Sequence, residues 1–573
     1  MNAILLMVVA FVGYIIAYNT YGRFLARKIF KLSDEACCPS KELQDGIDYV
    51  PTRKIIIFGH HFASIAGTGP IVGPAIGIIW GWLPAMLWIF VGSIFMGAVH
   101  DLGALALSLR NQGKSISEIT VKYIGSRVRY IFFLVVFFEL LIVIAIFGMV
   151  IAVIFSIFPA SVLAVWMQIP IAMTLGVIIY RRGGNVTLYT ILAVTAMYMT
   201  IALGHFLPFQ MPAIAGIPPT GVWTIILLVY CYFASTLPVT MLLQPRDYIN
   251  AWQLLIAMLL LMLGAFASGF VSNLEIVAPA VNLHVEGAPP LFPFLFITIA
   301  CGAISGFHAL VSSGTSAKQV AREPDALFVG YGAMLTEAAL ATLVIIAVAA
   351  GIGMAYKTGD GNILTGIAAW QAHYSSWGAS SGMGANINAV VVGAANMMAT
   401  IGIPAMLGVI IIGVFIASFA GTTLDTATRI QRYIVGELFS DVRMKFMTNK
   451  YIATAFAVIA AALLAFATGA DGKGALTLWP MFGAVNQLLA ALALIVITIY
   501  LKRRRGIAYL VAIIPCLFML VMTIWGAILN ETEYVAKGNW LLLIINAIVL
   551  LLACWMILES IIVFVRRGNS GAS

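Results

Sequence analysis

A run of small residues and proline interrupts one of the most apolar stretches of the chain. Gly67, Thr68, Gly69 and Pro70 follow Ala66 there. Proline has no N–H group, so Pro70 would leave the carbonyl of Ala66 without its helical partner, and the glycines allow the backbone to unwind. A half-helix that starts at Pro70 would direct free N–H groups and the positive end of its dipole at this break, which favours an anion. We therefore expect Gly67, Thr68, Gly69 and Pro70 to bind the carboxylate of a small solute.

A second interruption is predicted at Pro238, which follows Ser235 and Thr236. Proline and glycine occur in many membrane helices without any function, but here two breaks would occupy corresponding positions. Breaks in matching places of two halves are typical of transporters built from an inverted repeat, whose substrate site lies between the breaks. Ser235 and Thr236 are therefore predicted to line the same substrate site.

His308, Ser312 and Ser313 form a third polar group in an apolar segment. His308 and Ser312 are four residues apart and would share one helix face. We assign His308 to the substrate site. Hydroxyl oxygens near the freed Ala66 carbonyl would suit a hard cation. In lipid, such hydroxyls also satisfy backbone groups or pack helices together, and this alternative stays open.

Ionisable side chains within apolar segments are costly to bury and are functional candidates by default. The candidates for coupling and gating are His61, Asp101, Glu337 and Asp425. The alternative is that these carboxyls form structural ion pairs: Asp425 lies four residues before Arg429, which predicts an i, i+4 pair. Asp101 follows His100, but neighbours on a helix point about 100° apart, so the two need not share a site.

The elements that carry these residues must be membrane helices. Of 573 residues, 62% are hydrophobic and 9% are charged, whereas soluble domains carry about a quarter charged residues. Such a chain cannot cover itself with a polar surface, which excludes a soluble enzyme, a nucleic-acid binder and a disordered regulator. We predict an all-α polytopic membrane protein with about 15 transmembrane helices of about 20 residues each, near 3–22, 55–79, 83–109, 130–158, 162–180, 187–207, 221–243, 251–271, 291–311, 326–350, 398–420, 451–468, 476–500, 507–528 and 541–565. The stretch 382–400 is predicted to be either a re-entrant piece or an extension of the following helix.

The distribution of charge predicts the orientation of these helices. With the N-terminus outside, 28 of the 31 Lys and Arg residues fall in the inner loops. Basic loops stay on the cytoplasmic side, so we expect an outside N-terminus and a cytoplasmic C-terminus. The expected domains are an N-terminal helix and loop over 1–54, a transport core with an inverted repeat over 55–435, and further membrane helices over 436–573.

Several motifs together resemble the carbon starvation protein A family and cover most of the chain. They are Asp45-Gly46-Ile47-Asp48-Tyr49-Val50-Pro51-Thr52, Gly59-His60-His61-Phe62, Gly67-Thr68-Gly69-Pro70, Gln244-Pro245-Arg246-Asp247-Tyr248, Gly306-Phe307-His308-Ala309, Ser312-Ser313-Gly314-Thr315, Thr423-Leu424-Asp425-Thr426-Ala427-Thr428-Arg429, Leu478-Trp479-Pro480, Phe482-Gly483 and Asn486-Gln487.

This resemblance implies an uptake carrier of the bacterial or archaeal inner membrane. Its members are associated with peptide uptake during carbon starvation and, in some cases, with pyruvate import. The resemblance also implies kinship with the amino acid–polyamine–organocation superfamily, whose leucine-transporter-like core is a five-plus-five inverted repeat. In that fold a sodium ion can lie between the first core helix and a Ser/Thr pair on the eighth, which implies a sodium site at Ala66, Ser312 and Ser313.

The expected function is secondary active uptake of a small carboxylate-bearing nutrient, a peptide or pyruvate, coupled to Na⁺ or H⁺. The expected partners are that solute and the lipid bilayer, with no nucleic acid and no cofactor beyond the coupling ion; the oligomeric state is left open. A channel or a membrane-embedded nutrient sensor is the alternative, although the inner loops are too short for a signalling domain. No metal-ligand or nucleophile motif predicts an enzyme.

Overall fold

The computed structural model describes residues 2–271, 274–380, 382–439 and 444–566. Its helices, in chain order, are α1 Ala3–Ala17, α2 Pro39–Glu42, α3 Lys54–Ala66, α4 Gly69–Gly77, α5 Trp82–Gly92, α6 Ala98–Leu109, α7 Ile116–Tyr123, α8 Ser126–Ile157, α9 Ser161–Arg181, α10 Val186–Phe206, α11 Pro219–Thr236, α12 Leu243–Val271, α13 Leu291–Thr298, α14 Gly306–Gly314, α15 Ala333–Ala349, α16 Gly366–His373, α17 Trp377–Ser380, α18 Met383–Ala399, α19 Ala405–Phe439, α20 Lys450–Ala465, α21 Trp479–Arg505, α22 Leu510–Ala536 and α23 Trp540–Arg566. Two short antiparallel strands, β1 Tyr356–Lys357 and β2 Ile363–Leu364, pair Tyr356 with Leu364.

The described residues confirm the prediction of a polytopic helical membrane protein. Twelve helical segments are long and apolar enough to cross a membrane, and the bent pair α3–α4 makes a thirteenth. The remaining two predicted spans correspond to the shorter helix α20 and to the discontinuous pair α13–α14. Several helices continue through π-helical turns; one such turn, Ser93–Gly97, joins α5 to α6.

The most deeply buried helices lie in the middle of the molecule. The span Lys473–Arg504, which contains α21, and the span Leu327–Met354, which contains α15, are almost entirely covered by other helices. In contrast, α1, α10, α22 and α23 expose many large apolar side chains, among them Leu192, Ile514 and Leu551. Such exposure is what a lipid-facing helix shows, because lipid replaces the protein as apolar neighbour.

Two helix boundaries differ from the prediction. The proposed mid-helix break at Pro238 is instead a helix end: α11 stops at Thr236 and α12 starts at Leu243. Leu237 is extended, at φ −71° and ψ 154°, because a residue that precedes proline is pushed out of the helical region. The stretch 382–400 forms a helix of its own, α18, and the following helix α19 begins only at Ala405.

The loops that carry most of the basic residues lie together on one face, which we call the basic face. Thr52 N–H donates to Gln319 O at 3.0 Å, and Arg110 pairs with Glu323 at 2.6 Å. Arg322 pairs with Asp34 on the same face. The strands β1 and β2 and the helices α16 and α17 belong to loops at the other ends of the spans, on what we call the opposite face.

Candidate functional site

The break between α3 and α4 is fixed by one glycine. Gly67 has φ +32° and ψ −146°, which an L side chain rarely adopts. A Cβ at this position would lie 2.7 Å from Thr423 Oγ1 on α19 and 3.2 Å from the ring of Phe147 on α8. Gly67 is therefore needed both for the backbone turn and for the close approach of α8 and α19 to the break.

A second break lies between α13 and α14, over residues 299–305, where Gly302 has φ +90°. The polar groups that this break frees are satisfied by side chains from other helices. Trp88 Nε1 donates to Ile299 O at 2.8 Å, and Phe307 N–H donates to Asn486 Oδ1 at 2.8 Å. Side-chain partners of this kind allow non-helical backbone at membrane depth.

The two discontinuous helices run antiparallel past each other. A Cβ on Gly69 would lie 2.4 Å from Cys301 Sγ, one on Gly73 would lie 2.7 Å from Thr298 O, and one on Gly77 would lie 2.6 Å from Ile299 Cδ1, with Leu295 also close. The contacts shift from Cys301 at Gly69 to Thr298 at Gly73 and extend to Leu295 at Gly77, so α4 and α13 run in opposite directions. The two breaks lie at the same level, because Gly69 at the start of α4 meets Cys301 in the second break.

A cavity of about 680 Å³ opens beside this pair of breaks. Gly69 and Gly73 of α4 and Cys301 of the second break line its inner part, while Glu533 and Lys537 of the opposite face line its mouth. Trp377, Met383, Trp479, Phe482 and Asn530 complete much of the wall. The cavity therefore connects the helix breaks with the opposite face.

A group of buried titratable side chains, which we call the histidine cluster, lies next to the second break. It comprises His100, Asp101, His308 and Glu337, all fully buried. His100 Nδ1 is 2.8 Å from Asp101 Oδ1, and His308 Nδ1 is 3.0 Å from Asp101 Oδ2. His308 Nε2 faces Glu337 Oε2 at 3.3 Å. Neighbouring His100 and Asp101 thus do share a site, because both side chains turn toward the same buried space.

A separate buried group, the arginine cluster, comprises His60, Tyr230, Arg246, Asp247 and Asp425. Arg246 forms an ion pair with Asp425 and another with Asp247 at 3.1 Å. Asp247 Oδ2 also lies 2.6 Å from His60 Nδ1. The prediction that Asp425 pairs with Arg429 was wrong. Asp425 pairs with Arg246 of α12, and Arg429 pairs with Asp48 in the loop before α3.

The basic face is closed by contacts that join this loop to α11 and α19. Asp48 accepts from Arg429 at 2.8 Å and pairs with Arg432 at 3.0 Å. Arg429 also donates to Leu237 O at the end of α11. Burial would raise the pKa of the Asp48 carboxyl, but Arg429, Arg432 and Lys318 outweigh this effect and lower the pKa to about 2.

Several predicted site residues are brought to the breaks. The Thr68 hydroxyl is fully buried and has no hydrogen-bond partner among the described residues. Ala66 is also fully buried, at the end of α3. His61, in contrast, contacts a residue outside both breaks: its Nδ1 lies 2.8 Å from Ser316 Oγ, beyond the end of α14.

Other predicted residues face different neighbours. Ser313 Oγ donates to Ala309 O and accepts from Ile116 N–H of α7, while Ser312 is buried on the same helix with its hydroxyl unpaired among the described residues. Ser235 donates to Asp425 O, and Thr236 donates to Phe233 O. None of these four contacts lies at the cavity wall. Their predicted roles therefore stay predictions.

Sequence reasoning missed four residues that the structure places in these sites. Thr423 donates to Ser64 O at 3.2 Å beside the first break, and Cys301 lines the cavity. The other two are carboxylates: Asp247 pairs with Arg246, and Asp48 pairs with Arg429. The glycines at 302 and 306 in the sequence were the available signal for the second break, since glycine marks positions where a helix can unwind.

Comparison with known proteins identifies the family of the chain. Residues 2–526 match the sequence profile of the family described as carbon starvation protein CstA. The peptide transporter CstA of Campylobacter jejuni is 35% identical over 580 residues, which cover 94% of this chain and 81% of that protein. The pyruvate/proton symporter BtsT of Escherichia coli is 31% identical over 590 residues, which cover 92% of this chain and 81% of that protein.

Among solved structures, MhsT in complex with L-phenylalanine has a TM-score of 0.46 at 12% identity, covering 82% of this chain and 98% of that one. A manganese transporter of Eremococcus coleocola has a TM-score of 0.44 at 14% identity, covering 91% and 99%. The match to the family profile extends over more than nine tenths of the sequence, and the relatives align over almost the whole chain. The chain belongs to the carbon starvation protein CstA family.

Proposed function

We propose that the protein is a proton-coupled secondary carrier that takes up small carboxylate-bearing nutrients, such as peptides or pyruvate, by alternating access. The observation that carries this proposal is the cavity of about 680 Å³, which reaches both helix breaks from the opposite face. The basic face is meanwhile closed by the Asp48–Arg429 contact. A site reached from one side and closed on the other is what a carrier needs, and the charge distribution makes the closed side the cytoplasmic one.

The substrate carboxylate is assigned to the start of α4. Ile71 and Val72 already donate their N–H groups to Thr68 O, at 3.2 and 2.9 Å. Fewer N–H donors are therefore left for an anion than the sequence suggested. The remaining favourable features are the unpaired Thr68 hydroxyl, the helix dipole and the position of Gly69 in the cavity wall. Gly67 and Pro70 shape this site rather than contribute donors.

The coupling ion is assigned as a proton on two grounds. The relative in Escherichia coli is named a pyruvate/proton symporter, and buried titratable groups lie beside the second break. The proposed sodium ligands are less suited, because the Ser313 hydroxyl already bonds Ala309 and Ile116. The candidates for coupling and gating remain His61, Asp101, Glu337 and Asp425. The relatives named as transporters support transport rather than catalysis as the function.

Uptake into proteoliposomes tests the proposal. Labelled pyruvate and a labelled dipeptide are offered with a pH gradient or a sodium gradient imposed separately, and protein-free liposomes are the control. A carrier coupled to protons accumulates substrate under the pH gradient in sodium-free buffer. A channel only equilibrates it. Accumulation that requires sodium would contradict proton coupling and support the predicted sodium site.

The carboxylate assignment predicts a competition result. A methyl ester of the transported solute should compete poorly, because it lacks the charge that the α4 dipole and the Thr68 hydroxyl favour. The measurement is inhibition of labelled uptake by the acid and by its ester at equal concentration. Equal inhibition by the two compounds would contradict the assignment of the anion to α4.

A further inference from the structure

Glu337 occupies an unusual position among the buried carboxyls of the protein. It is fully buried on α15, yet one of its oxygens reaches the second helix break, where Oε1 accepts from Gly302 N–H at 3.1 Å. The other oxygen, Oε2, has no hydrogen-bond partner among the described residues. His308 Nε2 lies 3.3 Å from this oxygen. Glu337 therefore touches the break with one atom and has a free oxygen for a proton.

The titratable groups next to Glu337 are His308 on α14 and Cys301 in the break. Asp101 on α6 pairs with the other side of His308, His100 pairs with Asp101, and His61 on α3 lies near Asp101 and His308. Among the described residues, no Lys or Arg forms an ion pair with the histidine cluster. The two carboxylates of the cluster can therefore be neutralised only by protons, since a buried charge without a partner is very costly.

The hydrogen bonds distinguish Glu337 from Asp101. Both oxygens of Asp101 are already bonded, one to His100 and the other to His308 Nδ1. One proton shared between Asp101 and His308 leaves the cluster with one negative charge, on Glu337. A second proton at Glu337 Oε2 makes the cluster neutral.

We propose that Glu337 carries the coupling proton and transmits its binding to the second helix break through the Gly302 N–H group. This inference rests on the proposed proton-coupled uptake and names the atom that performs it. The ionised carboxylate accepts the Gly302 N–H in a charge-assisted bond, which is stronger than the bond to a neutral carboxyl. Proton binding therefore weakens the hold of α15 on the break.

The break that Glu337 holds is also part of the cavity wall. Cys301, directly before Gly302, lines the cavity and lies close to His308 and Glu337. A proton enters from water in the cavity, binds Glu337 Oε2, and returns to water when the site opens to the other side. The proposed substrate site at the start of α4 and the proposed proton site thus adjoin each other where Gly69 packs against Cys301.

The test variant is Glu337→Gln, which keeps an oxygen for the Gly302 N–H but cannot bind or release a proton. With one proton per substrate, a gradient of about one pH unit supports about ten-fold accumulation, because equal concentration ratios have equal free energies. We expect the wild type to reach about that value. Glu337→Gln should show no accumulation above equilibrium yet retain exchange of labelled for unlabelled substrate, which needs no net proton movement.

The matched control is Glu139→Gln, which removes another fully buried carboxyl that has no hydrogen-bond partner among the described residues, on α8. Accumulation by this variant should match the wild type. Undiminished accumulation by Glu337→Gln, or an equal loss in Glu139→Gln, would overturn the assignment. Failure of the wild type to use a pH gradient would instead reject the proposed proton coupling.

A second measurement needs no variant and decides the matter if Glu337→Gln does not fold. Dicyclohexylcarbodiimide modifies protonated carboxyls in apolar surroundings, and mass spectrometry locates the modified residue. In the wild type we expect modification of Glu337 to rise as the pH falls, with accumulation lost in proportion. Persistent proton-driven accumulation after Glu337 is fully modified would overturn the proposal.

Discussion

The two buried ionic groups of this protein use different cations for similar carboxylates. In the arginine cluster, Arg246 lies between Asp247 and Asp425 and stays charged at any physiological pH. In the histidine cluster, the cations that pair with Asp101 and Glu337 among the described residues are imidazoles, which are charged only while they hold a proton. The first group has a fixed charge, whereas the charge of the second depends on its protons.

Their positions in the fold match this difference. The arginine cluster joins α3, α11, α12 and α19 near the basic face, where the structure is closed. The histidine cluster joins α6, α14 and α15 beside the break that lines the cavity. We infer that the permanent ion pairs hold helices in place, while the titratable cluster responds to conditions in the cavity.

The largest expected effect on stability comes from Arg246→Met. This change leaves Asp247 and Asp425 buried without their cation, and removal of one partner from a buried ion pair costs about 3–5 kcal/mol. We expect a much lower folded yield and melting temperature in detergent. Arg322→Met is the control, because the Arg322–Asp34 pair is exposed to solvent and should contribute little to stability. Equal effects of the two changes would remove the distinction drawn for the arginine cluster.

Asp48→Asn tests a second permanent ion pair, closer to the surface. Loss of the charge-assisted bonds to Arg429 and Arg432 should cost about 2 kcal/mol. The pKa of Asp48, about 2, is below the ordinary value of 3.8. The stabilisation is therefore fully present above pH 3.8 and is lost as the pH falls toward 2. The difference in melting temperature between wild type and Asp48→Asn should be constant from pH 5 to 8; a difference that shrinks within that range would contradict the assignment.

Gly67→Ala tests the break at the end of α3, the helix that contributes His60 to one cluster and brings His61 near the other. A Cβ there costs about 1–3 kcal/mol in backbone strain and would also displace Thr423, whose Oγ1 would be 2.7 Å away. We expect both stability and uptake to fall. Gly436→Ala is the control, since a Cβ at that helical position on α19 meets nothing within 4 Å. It should leave uptake unchanged.

Asp101→Asn should have the smallest effect on stability and one of the largest on function. The amide oxygen can still accept from one imidazole, and the amide N–H can donate to the other once that ring takes its other neutral tautomer, so we expect a loss of only about 1 kcal/mol. Without the Asp101 charge, His308 holds its proton less firmly, and the pH profile of uptake should move to lower pH. An unchanged profile, together with a large loss of stability, would show that the histidine cluster is structural like the arginine cluster.

Much of this fold could be predicted because it depends on local composition. Every predicted span has a helix or a discontinuous pair at its place, and the break at Gly67 follows from glycine and proline chemistry within a few residues. Pro238 misled the prediction because proline also terminates helices. The second break has no proline inside it; it depends on Gly302 and on Trp88 and Asn486 from other helices, which the sequence does not connect to it.

The charge pairs could not be predicted for the same reason. Asp425 has a suitable partner four residues away, but its actual partner is 179 residues distant. Arg429 likewise pairs with Asp48, 381 residues earlier. Which pairs form is decided by helix packing across the whole chain, whereas sequence spacing reports only neighbours on the same helix.

The glycines at 69, 73 and 77 leave α4 with a smooth surface toward α13. Helices with large side chains lock together in a few preferred angles, because the ridges of one fit the grooves of the other. A face without side chains has no ridges, so no rotamer has to change when α4 shifts along its partner. The two discontinuous helices can therefore slide past each other by small rigid-body movements with little change in side-chain packing.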